Sequence, residues 1–173
     1  MPSALLIGRF QPFHLGHLDA LNKALIENDR VLIGIGSAED NYTDDNPFTA
    51  GERFEMIEKT LQAHEIAPGR YAIIPIRNIN NYSLWASHVK LLCPSFESLY
   101  TGSHMVKELF QKHAPDIEIK DIEIKHKICA TAIREKILQG DESWAKMVPE
   151  QVAQYLTKIK VAERLRDIQL PRK

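Results

Sequence analysis

Residues 3–26 read SALLIGRFQPFHLGHLDALNKALI, and this stretch decides how the chain is read. Ala4 to Gly8 is apolar on both sides, as a strand buried on both faces is. Leu18, Leu21, Leu25 and Ile26 recur close to helical spacing, which predicts a helix over Leu18 to Asn28. Between them lies a glycine turn that delivers His14 and His17 to the start of that helix. A strand that feeds a helix through such a turn leaves free backbone N–H groups and the positive end of a helix dipole facing one spot. That arrangement suits phosphate. The two imidazoles add neutral or cationic donors.

The same alternation continues along the chain. Val31 to Gly36 is a second buried strand, and the polar stretch Ser37 to Pro47 is a loop. Thr49 followed by Glu52 forms a capping box that opens a helix running to about Ala63. Tyr71 to Ile76 and Ser98 to Thr101 read as strands, Ser83 to Leu92 and Met105 to Lys112 as helices. Ile117 to Ile124 alternates apolar and charged residues, as a half-exposed edge strand does. A helix over Thr131 to Leu138 closes at Gly140. Glu150 to Ile159 and Val161 to Ile168 are helical. Strand and helix in turn predict an α/β fold with a doubly wound, mainly parallel five-stranded sheet. Ligands of such sheets sit at the carboxyl ends of the strands, where strand order reverses. Gly8, Gly36 and Gly102 all fall at strand ends.

With 173 residues and 44% hydrophobic composition, the chain is long enough to bury a real core. The expected organisation is a main domain over 1–147 and a helical extension over 148–173 packed on it. A net charge of -1 argues against a long polyanion such as nucleic acid as partner. The two cysteines, Cys93 and Cys129, lie far apart and outside any CxxC spacing, so reduced thiols in a cytoplasmic protein are expected. No apolar run approaches the ~20 residues of a membrane helix, and the apolar segment near the N-terminus is too short for a signal peptide.

His14 and His17 also have a metal-like spacing, but no third ligand follows at a spacing that would complete a zinc site. A second constellation, Ile128-Cys129-Ala130-Thr131-Ala132-Ile133-Arg134, follows the edge strand. Thr131 is expected to cap the next helix, with Arg134 one turn on, again suited to phosphate.

Together these stretches carry a resemblance. The first looks like the HxGH signature of the nucleotidyltransferase superfamily. The second is similar to that superfamily's late ISxTxxR-type motif, with Cys129 where serine is usual. NPFTAGER (46–53), Ile73-Ile74-Pro75, Ser83-Leu84-Trp85 and Tyr100-Thr101-Gly102 resemble the archaeal-type nicotinamide mononucleotide adenylyltransferases, in the same order. The resemblance implies a Rossmann-like nucleotidyltransferase that moves the adenylyl group of ATP to nicotinamide mononucleotide, giving NAD and pyrophosphate. It implies Mg²⁺ held mainly by the phosphates, and a homo-oligomer, often a hexamer, for which the amphipathic C-terminal helices offer an interface. By the same resemblance Arg9, His14, His17 and Arg134 are the catalytic set. Gly8, Phe10, Gly102, Ile128 and Thr131 join them around ATP. Phe48, Tyr82 and Trp85 fall on the mononucleotide side, although Phe48 and Trp85 also suit a core. Arg53 gets only a pairing with Glu52 or Glu55.

The chain departs from that pattern in three places. Asp44 and Asp45 occupy a loop that usually offers a basic residue, Tyr82 stands where asparagine is frequent, and Ser103 replaces another asparagine. The acidic loop motivates an alternative acceptor: nicotinic acid mononucleotide, pantetheine phosphate, a sugar phosphate or a flavin. A non-catalytic nucleotide sensor on the same fold is the alternative from another class.

Overall fold

The structure, a computed structural model, describes residues 2–122, 126 and 128–170. Five strands, β1 (Ser3–Gly8), β2 (Arg30–Ile35), β3 (Tyr71–Pro75), β4 (Ser98–Tyr100) and β5 (Glu118–Lys120), form one sheet. Its order is β3-β2-β1-β4-β5, and every pairing is parallel. Leu5 in the central strand faces Leu32 on one side and Leu99 on the other. The helices are α1 (Leu15–Glu27), α2 (Ala50–Ala63), α3 (Tyr82–Leu92), α4 (His104–His113), α5 (Ala130–Gln139), α6 (Glu150–Lys158) and α7 (Val161–Gln169).

Side chains of a strand alternate between faces, so the sheet divides the core in two. Leu5, Ile7, Leu32 and Leu99 pack with Trp85 and Val89 of α3 and Phe110 of α4. Ala4, Leu6, Val31, Ile33 and Ile35 pack against α1, α2 and α5. Val152, Leu156, Val161 and Leu165 of α6 and α7 belong to that second cluster. These C-terminal helices therefore bury apolar residues inside their own chain. Large exposed apolar side chains include Leu84 and Leu91 on α3, Ile26 on α1 and Leu170 at the end of α7.

Local chemistry accounts for most element ends. Thr49 accepts from the Glu52 amide while the Glu52 carboxylate accepts from the Thr49 amide, as the capping box requires. The expected edge strand is present over Glu118–Lys120; its last two expected residues, 123 and 124, lie outside the described residues. A 3-10 turn over Glu142–Met147 was not foreseen.

Candidate active site

At the carboxyl ends of β1 and β4, where strand order reverses, a cavity of about 790 Å³ opens. Gly8, Gly36 and Gly102 line it from three strand ends. Gly8 has no room for a side chain, because a Cβ there would lie 2.9 Å from the Phe10 ring. Phe10 itself takes a positive φ of 53° and turns the chain into the loop. Gly16 is similarly confined, with a Cβ 3.0 Å from the His126 carbonyl oxygen and 3.2 Å from the His14 ring.

The two histidines cap α1 reciprocally. His14 Nδ1 accepts from the His17 amide at 3.4 Å, and His17 Nδ1 accepts from the His14 amide at 3.3 Å. Both Nδ1 atoms being acceptors, each ring carries its proton on Nε2. The rings stack with centroids 3.6 Å apart. Phe10 meets the His17 ring edge-on at 4.8 Å, and Phe13 stacks on it at 5.6 Å. Burial pushes His14 down to about 4; burial and the neighbouring His14 hold His17 well below the ordinary range. At neutral pH both rings are uncharged and offer Nε2–H as a donor. In this tautomer neither has a ring lone pair left for a metal ion.

The cationic charge comes from two guanidinium groups. Arg9 is exposed at the cavity wall. Arg134 is buried, donates from Nη1 to the Gln11 carbonyl at 2.9 Å, and has Nη2 3.8 Å from an Asp45 carboxylate oxygen. Burial lowers the Arg134 pKa and Asp45 opposes that shift. The acidic loop thus faces the late arginine, a pairing that sequence reading missed.

Two further residues shape the site without having been singled out. Gln11 is 2% exposed and spans the Phe48 backbone, taking its amide hydrogen at 2.9 Å and donating to its carbonyl at 3.0 Å. This fastens the first loop to the start of α2. Arg53 is fully buried. It donates to the carbonyls of Arg9 and Gly36 at 2.9 and 2.8 Å, of Ser37 and Thr49 at 3.0 and 3.2 Å, and of Asp40 at 3.5 Å. Burial pulls its pKa down to about 10, against the pull of Asp40 and Glu39. Arg53 is therefore the clamp of the loops after β1 and β2, rather than a partner of Glu52 or Glu55. The only signal in the sequence was its place at the end of NPFTAGER.

Of the residues expected around the ligand, Gly8, Arg9, Phe10, His14, His17, Gly102, Ile128, Thr131 and Arg134 all line the one cavity, as do Tyr82 and Trp85. Trp85 is 8% exposed and meets Phe110 edge-on at 6.1 Å, so one face belongs to the core. Phe48 is a correction. Its side chain is fully buried in the core, and only its backbone serves the site, through Gln11. Thr131 is another: α5 starts at Ala130, its N-cap is Cys129, and no side chain caps it. Thr131 lies within the first turn and lines the cavity. Asn78, from the loop after β3, braces the opposite wall through Ser37 Oγ at 2.8 Å and the Glu39 carboxylate at 2.9 Å.

A parallel sheet with paired donors, guanidinium groups and a helix N-terminus converging at its switch point is suited to a phosphorylated ligand. The cytidylyltransferase-like family model matches residues 5–136. The nicotinamide-nucleotide adenylyltransferase of Thermoplasma volcanium is 42% identical over 165 residues, covering 95% of this chain and 91% of its own. That of Thermococcus kodakarensis is 38% identical over 162 residues, covering 94% and 86%. The chain belongs to the nicotinamide-nucleotide adenylyltransferases within the cytidylyltransferase-like family. In fold it is similar to a bifunctional NMN adenylyltransferase/ADP ribose pyrophosphatase from Francisella tularensis, with a TM-score of 0.80 at 24% identity. That likeness covers 96% of this chain and 52% of the bifunctional one. A second structure of it, complexed with AMP and a manganese ion, has a TM-score of 0.78.

Proposed function

We propose that this chain transfers the adenylyl group of ATP to nicotinamide mononucleotide, releasing pyrophosphate and forming NAD. The observation that carries this reading is the single cavity shared by Arg9, His14, His17, Thr131 and Arg134. The acceptor phosphate is already an anion, so attack on the α-phosphorus needs no general base. A bond forms from its oxygen to the α-phosphorus as the bond to the pyrophosphate oxygen breaks. Catalysis then consists of positioning and stabilising charge. The Nε2–H of His17 serves the α-phosphate, with His14 beside it. Arg134 and Arg9 neutralise the departing phosphates, aided by the α5 N-terminus at Ala130 and Thr131. Gly8, Phe10, Gly102 and Ile128 enclose the adenosine. Trp85 and Tyr82 form the nicotinamide wall, where an exposed ring face gains a cation–π contribution.

The histidines present Nε2–H to the cavity and the guanidinium groups do not ligate, so a divalent ion accompanying ATP would rely on the phosphates, as the family resemblance implies. Mg²⁺ there would reduce the charge of the phosphate chain. Cytoplasmic localisation accords with two free thiols, Cys93 and Cys129. The exposed Leu84 and Leu91 of α3 support self-association, and mass measurement in solution tests for a hexamer.

The test is incubation with ATP, nicotinamide mononucleotide and Mg²⁺. NAD in excess of a mock preparation is expected, and its absence refutes the reading. Asp45 beside Arg134 favours one second reading, transfer to a different phosphorylated acceptor. Pyrophosphate release across nicotinic acid mononucleotide, pantetheine phosphate, sugar phosphates and a flavin separates the two.

A further inference from the structure

The loop that carries Asp45 is fastened from α7. Arg164, on α7, places Nη1 2.5 Å from a Glu52 carboxylate oxygen, and both side chains of the pair are largely buried. The other Glu52 oxygen accepts the Thr49 amide, so one carboxylate caps α2 and anchors α7. The Arg164 guanidinium also lies over the Tyr42 ring, 5.1 Å from its centroid. Tyr42 has a φ of 52°, a conformation that needs support from its surroundings. Immediately after it, the Thr43 amide donates to the Asn46 carbonyl at 3.3 Å, and the Asn46 amide donates to Thr43 Oγ1 at 3.1 Å. These two bonds close the 43–46 turn, which carries Asp45 and follows Tyr42 directly. Asp45 in turn sits 3.8 Å from Arg134.

We propose that Arg164 is a positioning residue for the phosphate site: through Tyr42 it seats the 43–46 turn so that Asp45 occupies Arg134 as an internal anion, which an incoming phosphate chain must displace. This rests on reading the cavity as a phosphate-chain site. The carboxylate weakens binding of the chain and returns to Arg134 when pyrophosphate leaves. Asp45 is mostly exposed, so the effect is modest: competition from an exposed pair amounts to about two- to fivefold in affinity.

The experiment is calorimetric titration of the full chain with inorganic pyrophosphate, without acceptor. Asp45→Asn is expected to bind about two- to fivefold tighter than the parent chain. Arg164→Ala and Tyr42→Ala are expected to shift affinity in the same direction. Asp45→Asn with Tyr42→Ala is expected to bind no tighter than Asp45→Asn alone. Tyr42→Ala leaves the Arg164–Glu52 pair intact and carries the test if Arg164→Ala does not fold. Thermal midpoints taken beside the titrations register any purely structural effect. Unchanged or weaker binding by Asp45→Asn or Tyr42→Ala overturns the proposal, and so does additivity of the two. Arg134→Ala separates this failure from that of the underlying reading. If it binds pyrophosphate as well as the parent chain does, the phosphate site itself is misassigned.

Discussion

Arg134 donates from Nη1 to the carbonyl oxygen of Gln11 at 2.9 Å, a bond between residues 123 positions apart. It locks the helix that follows the last strand onto the loop that follows the first. One end of the guanidinium is spent on the scaffold, and the other is left to meet charge. Arg134→Ala is expected to lower kcat by about 10²- to 10³-fold, the usual cost of losing one transition-state donor. Arg134→Lys recovers little, because an ammonium lacks the fork that serves carbonyl and phosphate together. Steady-state kinetics of both variants check this.

His17→Ala is expected to reduce kcat by about 10²–10³-fold while changing ATP affinity far less. The ring donates from Nε2 and caps the His14 amide through Nδ1. An unchanged kcat in that variant, with a lowered melting midpoint, assigns His17 to the cap alone.

Acid should destabilise the fold through the histidine pair. Burial drops His14 from 6.5 to about 4. Between those values the unfolded chain binds a proton that the folded chain refuses. The stabilisation is therefore fully present above pH 6.5 and is lost as pH falls towards 4. For His14 alone the loss is on the order of 3 kcal/mol. Urea midpoints at pH 7 and pH 5 measure it, and His14→Gln should reduce the difference, leaving the part due to His17. Neither imidazole charges between pH 6 and 8, so kcat should show no histidine step from this pair across that range.

Arg53→Lys is expected to cost about 3 kcal/mol or more, since an ammonium cannot serve five carbonyls spread over two loops. Denaturant midpoints read the loss. The same variant should also weaken nucleotide binding, because Gly36 and Arg9 lose their common anchor.

Trp85 has a divided role. Trp85→Ala is expected to raise KM for the mononucleotide more than KM for ATP, and to cost about 3–5 kcal/mol of stability. Equal effects on both KM values would confine the indole to the core beside Phe110.

The elements were legible where their causes are local. Parallel strands buried on both faces read as unbroken apolar runs, and the Thr49–Glu52 box announces α2 by spacing alone. Nucleotide-side residues were legible because they cluster in two short runs that the sheet brings to the same end. Gln11 and Arg53 were not, since their partners are backbone carbonyls and amides, which every residue possesses and no sequence advertises. The Asp45–Arg134 approach was hidden for a different reason: it depends on the path of a loop, and nothing periodic fixes that path. Thr131 misled because a hydroxyl near a helix start suits a cap, and the helix begins one residue before it.

Phe10 and Phe13 share their cluster with Leu156 and Leu165 of the C-terminal helices. Synthesis runs from the amino end, so the histidine-bearing turn leaves the ribosome long before α6 and α7, which pack on α2 and α5. A nascent chain that stops at α5 has every proposed phosphate contact and lacks part of their footing. The core beneath α2 and α5 is therefore completed late in translation, with the emergence of α6 and α7.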